Sequence, residues 1–304
     1  QTIHQVLAQY NHWANDKLFG HLTSDLVKEK VTARYQELIR ESLVELDGLT
    51  KAFLSFLGIS SGTTNLTEST SIESVCAVIL NTSDTLLAHL ASTDTESCQP
   101  ITSESLLSFT NKSTQIRGAV SGFLCMCGLK PLALDALYIK PYKEVTDPQQ
   151  LELFRLHAKQ NMEAYTDLIK SIEGLTDEAY HSNCGLCFRS VHGTLNHMVM
   201  GDTVWYDVLR GKDASRFDVY WERPDEELYS NAESTSSLWE TWCPDRDELK
   251  ERIRKQSALW SEYVNGLEGF DHPTEKRLGL VLFHVVNHGW YHRGQIYAAL
   301  RVIG

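Results

Sequence analysis

The stretch "LFHVVNHGWYHRGQI", residues 282–296, sets His284, His288 and His292 four residues apart in an otherwise apolar helical pattern. Residues at that spacing lie one above the other on a helix face, so His288 and His292 can aim their rings at one point. Two imidazoles so placed are a common way to supply ligands to a transition metal such as Zn, Ni or Fe. A third ligand must come from another element. His197 in "SVHGTLNHMVMGDTVWYDVL" is the best candidate, because Val191, Leu195, Met198, Asp202, Trp205 and Leu209 mark the buried stripe of that helix and His197 lies beside it. His192, offset by five residues, shares that direction less well. A lone histidine on an apolar face is usually a core residue satisfied by a hydrogen bond. Three on one stripe differ, since burying several imidazoles without a shared partner is costly and a metal removes the cost. Gly289 follows His288 where H-E-x-x-H would need its glutamate, which disfavours zincin-type peptide hydrolysis, and no H-x-E with a downstream P-C-x-x-C points to a zinc deaminase.

Four helical stretches in each half would position these residues. The first half reads as helices over 3–22, about 33–57, 70–91 and 103–127, and the second over about 149–173, 188–210, 245–267 and 273–302. Residues 128–150 hold three of the seven prolines and read as the connection between them. We expect an all-α protein of two tandem up-down four-helix bundles, with domains at 1–130 and 149–304 and a linker at 131–148. The segment 211–244, rich in Trp and Tyr and long for a bundle connection, could serve as a lid. Side by side, "ELIRESLVELDGLTKAFLSFLG" (37–58) aligns with "SVHGTLNHMVMGDTVWYDVLRG" (190–211), and "SFTNKSTQIRGAVSGFLCMCG" (108–128) with "HVVNHGWYHRGQIYAALRVIG" (284–304). The second pair shares Asn111/Asn287, Arg117/Arg293 and Gly118/Gly294, so a tandem repeat is the better reading.

Composition sets the outer bounds. The 304 residues are 42% hydrophobic and 22% charged, a balance of globular chains, and no apolar run reaches the ~20 residues that span a bilayer. A net charge of −12 and the lack of a basic aromatic patch speak against nucleic acid. The seven cysteines, odd in number and close-paired only at Cys125/Cys127 and Cys184/Cys187, fit a reducing, cytoplasmic setting better than a secreted disulfide framework. A targeting segment before Gln1 stays open. The sequons at Asn65, Asn81 and Asn111 read as chance matches.

With these motifs in order, the second half resembles the DinB/YfiT superfamily, whose hallmark is a helix ending in N-H-x-x-x-H-R-G-Q after an earlier L-x-H-[IM] helix. "LAQYNHWANDKLFGHL" resembles the first helix of the same family, which suggests that the first half is a DinB-like bundle too. The resemblance implies one divalent transition metal, Zn or Ni before Fe or Mn, held by His197, His288 and His292, with His284 in a supporting or alternative-ligand place. Family members with known activity are metal-dependent thiol transferases or isomerases acting on low-molecular-weight thiols. In the first half Val44, Lys112, Ile116 and Ser108 stand where His197, His288, His292 and His284 stand in the second, so a degenerate, metal-free copy is expected to replace the partner of a homodimer, giving a monomeric internal pseudo-dimer.

A three-histidine site leaves a coordination position open, where a bound thiol would be held as thiolate for attack on an electrophilic small molecule. Arg293 and Tyr291 are further candidates at the reacting centre, though the ligand-free half keeps Arg117, which favours a structural role for Arg293. Asn287, Trp290, Tyr291 and Trp205 are expected to flank the pocket, and Gln295 to hold a carboxylate or tie the ligand helix to its neighbours. Asp202 either accepts a ligand imidazole's second N–H or sits at the surface. Two rival readings remain: a non-enzymatic stress-response protein that binds metal and a small ligand, and a structural zinc site built from Cys125, Cys127, Cys184 and Cys187, whose C-x-x-C at Cys184 and Cys187 also allows a redox role.

Overall fold

The computed structural model describes residues 2–62, 66–67, 70–92, 100–139, 144–221 and 238–303. Its helices are α1 (Ile3–Leu22), α2 (Asp25–Lys30), α3 (Ala33–Phe56), α4 (Ile72–Ser92), α5 (Pro100–Met126), α6 (Leu151–Ile172), α7 (Asp177–His181), α8 (Val191–Leu209), α9 (Asp218–Trp221), α10 (Arg246–Asn265) and α11 (Leu278–Ile303). No strand forms among the described residues; Leu186 and Arg189 make an isolated bridge. None of these helices is long and apolar enough to cross a membrane. The long helices fall where the apolar periodicity puts them, and the misses are at their ends. Thr2 and Gln5 form a capping box that starts α1. The helix expected from 188 begins instead at Val191, where Ser190 Oγ accepts from Gly193 N, because Arg189 adopts a positive φ of 71° and closes a tight loop. The last helix begins at Leu278 rather than 273, as the His272 ring accepts from Glu275 N at 3.0 Å and holds the approach in a turn.

Helices α1, α3, α4 and α5 pack among themselves, as do α6, α8, α10 and α11, and α5 lies along α11 as the most extensive helix pair. That crossing is close and reciprocal. A Cβ on Gly118 would stand 1.9 Å from Tyr291 O, and one on Gly294 would stand 2.0 Å from Gln115 O. Only glycine allows the two backbones to touch at both points. The adjacent arginines behave alike: Arg117 donates to Asn11 on α1 at 3.0 Å and lies over Tyr10, while Arg293 donates to Asn161 on α6 at 2.7 Å and lies over Tyr165.

The core is continuous across this crossing, with Tyr10 and Phe283 meeting edge to face at 5.3 Å. The proline-rich connection is no loose tether. Leu129, Leu134, Ala136, Ile139 and Val145 are buried, and Tyr10 donates its hydroxyl to Leu134 O at 3.1 Å. Of the segment expected to act as a lid, residues 222–237 lie outside the described residues, as does the sequon Asn65.

Candidate metal centre

Helix α8 carries His197 and α11 carries His288 and His292, one turn apart. Their Nε2 atoms converge: His197 to His288 is 3.0 Å, and His288 to His292 is 3.1 Å. Among the described residues this trio is the group of side chains able to hold a metal ion. Gln295, one turn beyond the helix face of His292, accepts from His292 Nδ1 at 2.7 Å. Since a carboxamide oxygen only accepts, the ring proton sits on Nδ1, and the Nε2 lone pair faces the other two rings. Burial pushes His197 and His288 well below the usual histidine range and His292 down to about 4, with neighbouring imidazoles adding to the first two. All three rings are therefore neutral at pH 7, the state that coordinates a metal.

The donor set fits a transition metal. Three neutral imidazoles suit Zn, Ni or Fe better than Mg or Ca, and their 3.0–3.1 Å separations are near the ~3.3 Å edge of a tetrahedron with metal–nitrogen bonds of about 2.0 Å. Without a cation, three lone pairs crowd one point with at most one proton between neighbours. The other supporting side chains are apolar. Phe188 stacks on His197 with ring centroids 3.9 Å apart and 18° between planes, and Trp239 meets it edge-on at 4.8 Å. Gly201, one turn after His197, leaves room for His288, whose Cε1 would lie 3.3 Å from any added Cβ.

The trio opens into a cavity of about 490 Å³. Its other walls include Trp205 and His284, Tyr291, and the segment from Lys130 to Asp135. His284 stays outside the three-atom group. Its ring is 5.6 Å from that of His288, and its Nδ1 is 3.5 Å from Asp135, a carboxylate supplied by the connecting segment. Tyr291 lines the cavity with its hydroxyl held 2.5 Å from Ser121 Oγ and donating to Leu132 O at 2.9 Å.

Other expected residues lie elsewhere. Arg293 does not line the cavity: it is buried between α11 and α6, with its guanidinium over the Tyr165 and Trp290 rings at 4.7 and 4.6 Å. Asn287 donates to Thr114 on α5 at 3.0 Å and holds the helix crossing. Trp290 lines a separate groove with Phe53, Phe56 and Phe109. Asp202 is the exception in position, since it reaches the cavity wall, yet it accepts from Tyr165 at 2.8 Å rather than from an imidazole, and burial pushes its carboxyl up to about 7. The four cysteines do not converge, for Cys184 donates to Arg189 O at 3.4 Å while Cys125 and Cys187 face each other with sulfurs 2.9 Å apart. Phe188, Trp239, Gly201 and the wall from Lys130 to Asp135 were missed by the motif reading. Gly201 had a local signal, a glycine one turn from His197 on the same face; the wall had none, because its contacts are distant in sequence.

The DinB family model matches residues 148–304, a range that holds all three histidines. Protein DinB of Bacillus subtilis (strain 168) is 26% identical to the chain over 161 residues, covering 50% of this chain and 86% of that protein. No solved structure matches.

Proposed function

The chain belongs to the DinB family, and from that premise we propose that it is a metal-dependent transferase or isomerase that activates a low-molecular-weight thiol toward an electrophilic small molecule. The observation that carries this reading is the convergence of His197, His288 and His292 at the wall of a cavity of about 490 Å³. Three protein ligands facing a cavity leave coordination open to an exogenous group, as catalytic sites do and closed structural sites do not. A Zn or Ni ion held by the three Nε2 atoms would supply Lewis acidity that keeps a thiol as thiolate at neutral pH.

The protein's own groups would do the rest. Gln295 holds the proton of His292 at Nδ1, and Phe188 and Trp239 fix the orientation of the His197 ring. His284, with Asp135 beside Nδ1, is placed to take the proton that an incoming thiol gives up. Trp205 and the apolar part of the 130–138 segment would bind the organic portion of the substrates. We assign Arg293 and Asn287 to positioning α11.

In the same reading residues 1–130 are a degenerate copy that occupies the place of a second subunit. The reciprocal Gly118 and Gly294 contacts, each against the other helix's backbone, support it, since the same patch meeting itself is the mark of an isologous interface. The test is elemental analysis of untagged protein purified without a metal column, wild type beside His288→Ala, followed by thiol–electrophile turnover. About one equivalent of transition metal in wild type and none in the variant, with turnover that follows metal content, is the expected result. Metal without turnover would shift the assignment to a ligand-binding protein, and no metal in either would overturn it.

A further inference from the structure

Two cysteines that serve no metal lie together at the edge of the same cavity. Cys125, in the last turn of α5, and Cys187, in the loop ahead of α8, are both buried, with sulfurs 2.9 Å apart. Cys187 also lines the cavity and accepts from Gln295 Nε2 at 3.5 Å. Gln295 thus donates to the sulfur that faces the cavity, and Cys125 sits behind it, away from the opening. Its contact with Cys187, with burial, holds the Cys125 thiol well above its usual range. The sequence pairs Cys184 with Cys187 and Cys125 with Cys127, but the fold pairs across the two halves.

We propose that Cys125 and Cys187 form a peroxide-responsive dithiol site, with Cys187 as the attacking sulfur and Cys125 as the resolving one. Cys187 first releases its proton to solvent through the cavity, and its thiolate attacks the terminal oxygen of a hydroperoxide that has entered; the S–O bond forms, the O–O bond breaks, and the leaving oxygen takes the Cys125 proton. The Cys125 thiolate then attacks the Cys187 sulfenic sulfur, forming the S–S bond and expelling hydroxide, which takes up a proton from solvent. The balance is two thiols and one hydroperoxide giving one disulfide, one alcohol and one water, or two waters when the oxidant is hydrogen peroxide. The sulfurs need to close by only about 0.9 Å to reach the ~2.05 Å of a disulfide. The bond would tie α5 to the loop that carries Phe188, the ring stacked on His197. Gln295 bonds Cys187 at one end and His292 at the other, so oxidation is read at the histidine trio.

The full-length protein is treated with a few equivalents of hydrogen peroxide, alkylated with N-ethylmaleimide in denaturant, and digested without reduction. The expected result is a Cys125–Cys187 linked peptide, a free-thiol titre lower by two than the seven of the untreated chain, and full recovery with dithiothreitol. In Cys125→Ser, dimedone traps Cys187 as sulfenic acid; in Cys187→Ser, Cys125 stays a free thiol at the same dose. Alkylation of both residues after peroxide, or a disulfide confined to Cys184–Cys187 or Cys125–Cys127, would overturn the proposal. The readout is covalent and independent of metal content, so it stands or falls apart from the catalytic reading.

Discussion

Replacing Gln295 by leucine removes the acceptor that fixes the His292 tautomer, and the cost falls unequally on the two states of the site. In the metal-free variant the ring can move its proton to Nε2 and donate to His288 Nε2, 3.1 Å away, so little is lost. With metal bound, Nε2 must offer its lone pair, and the proton returns to Nδ1, buried beside a leucine. An unsatisfied buried donor costs about 1–3 kcal/mol, which is roughly a 5- to 150-fold loss of affinity at 1.4 kcal/mol per decade. Gln295→Glu separates this account from a general packing effect. A carboxylate accepts more strongly, so that variant should bind at least as tightly as wild type. The assay is competition for Zn²⁺ against a chromophoric chelator at pH 7.5, with thermal melts of the metal-free proteins as a control. Wild-type affinity in Gln295→Leu would refute the tautomer argument, as would equal losses in both variants.

Gly118→Ala and Gly294→Ala should each lower stability by about 1–3 kcal/mol, since either Cβ forces α5 and α11 apart; the double variant should lose less than the sum, and urea melts showing full additivity would count against a shared crossing. Asp202 holds its proton up to about pH 7 in the folded chain and to 3.8 when unfolded, so wild-type stability falls as pH rises between those values. Asp202→Asn should gain on wild type over that window by up to about 4 kcal/mol, and an equal difference at pH 4 and pH 8 would exclude it. His157, buried and donating to Asn111, has its pKa lowered from 6.5 to about 3, so the folded chain resists its protonation and loses stability as pH falls through that range. His157→Gln should flatten the acid limb of a stability profile by up to about 5 kcal/mol, and an unchanged limb would show that other groups set it.

The fold and the trio were legible because both rest on short-range pattern. Apolar residues at helical spacing set α1, α3, α8 and α11, and a four-residue step puts His288 and His292 on one face whatever surrounds them. His197 was readable as a position next to a buried stripe. Side-chain direction across elements was not. Asp202 was a candidate support for a ligand and Gln295 a tie between helices, yet only the fold decides that Tyr165 faces the first and His292 the second. Arg293 shows the same limit from the other side: its alignment with Arg117 pointed to a structural place, and its guanidinium lies among Asn161, Tyr165 and Trp290.

The least legible part is the one that completes the cavity. Residues 130–138 read as a connection, and nothing in their local sequence marks Asp135 or the Leu132 carbonyl as belonging to a site. They face His284 and Tyr291 because the α5–α11 crossing carries the end of α5, and the chain leaving it, across the open side of the second bundle. The same crossing places Ser121 against Tyr291 and Cys125 against Cys187. The end of α5 and the connection after it thus contribute a wall, a carboxylate, a hydroxyl and a thiol to the neighbourhood of the trio. In the proposed degenerate-copy reading, Val44, Lys112, Ile116 and Ser108 in place of the histidines would leave those contributions intact, since none depends on a metal in the first half. Gly118 and Arg117 serve that arrangement directly, one by letting the helices touch and the other by holding α5 against α1.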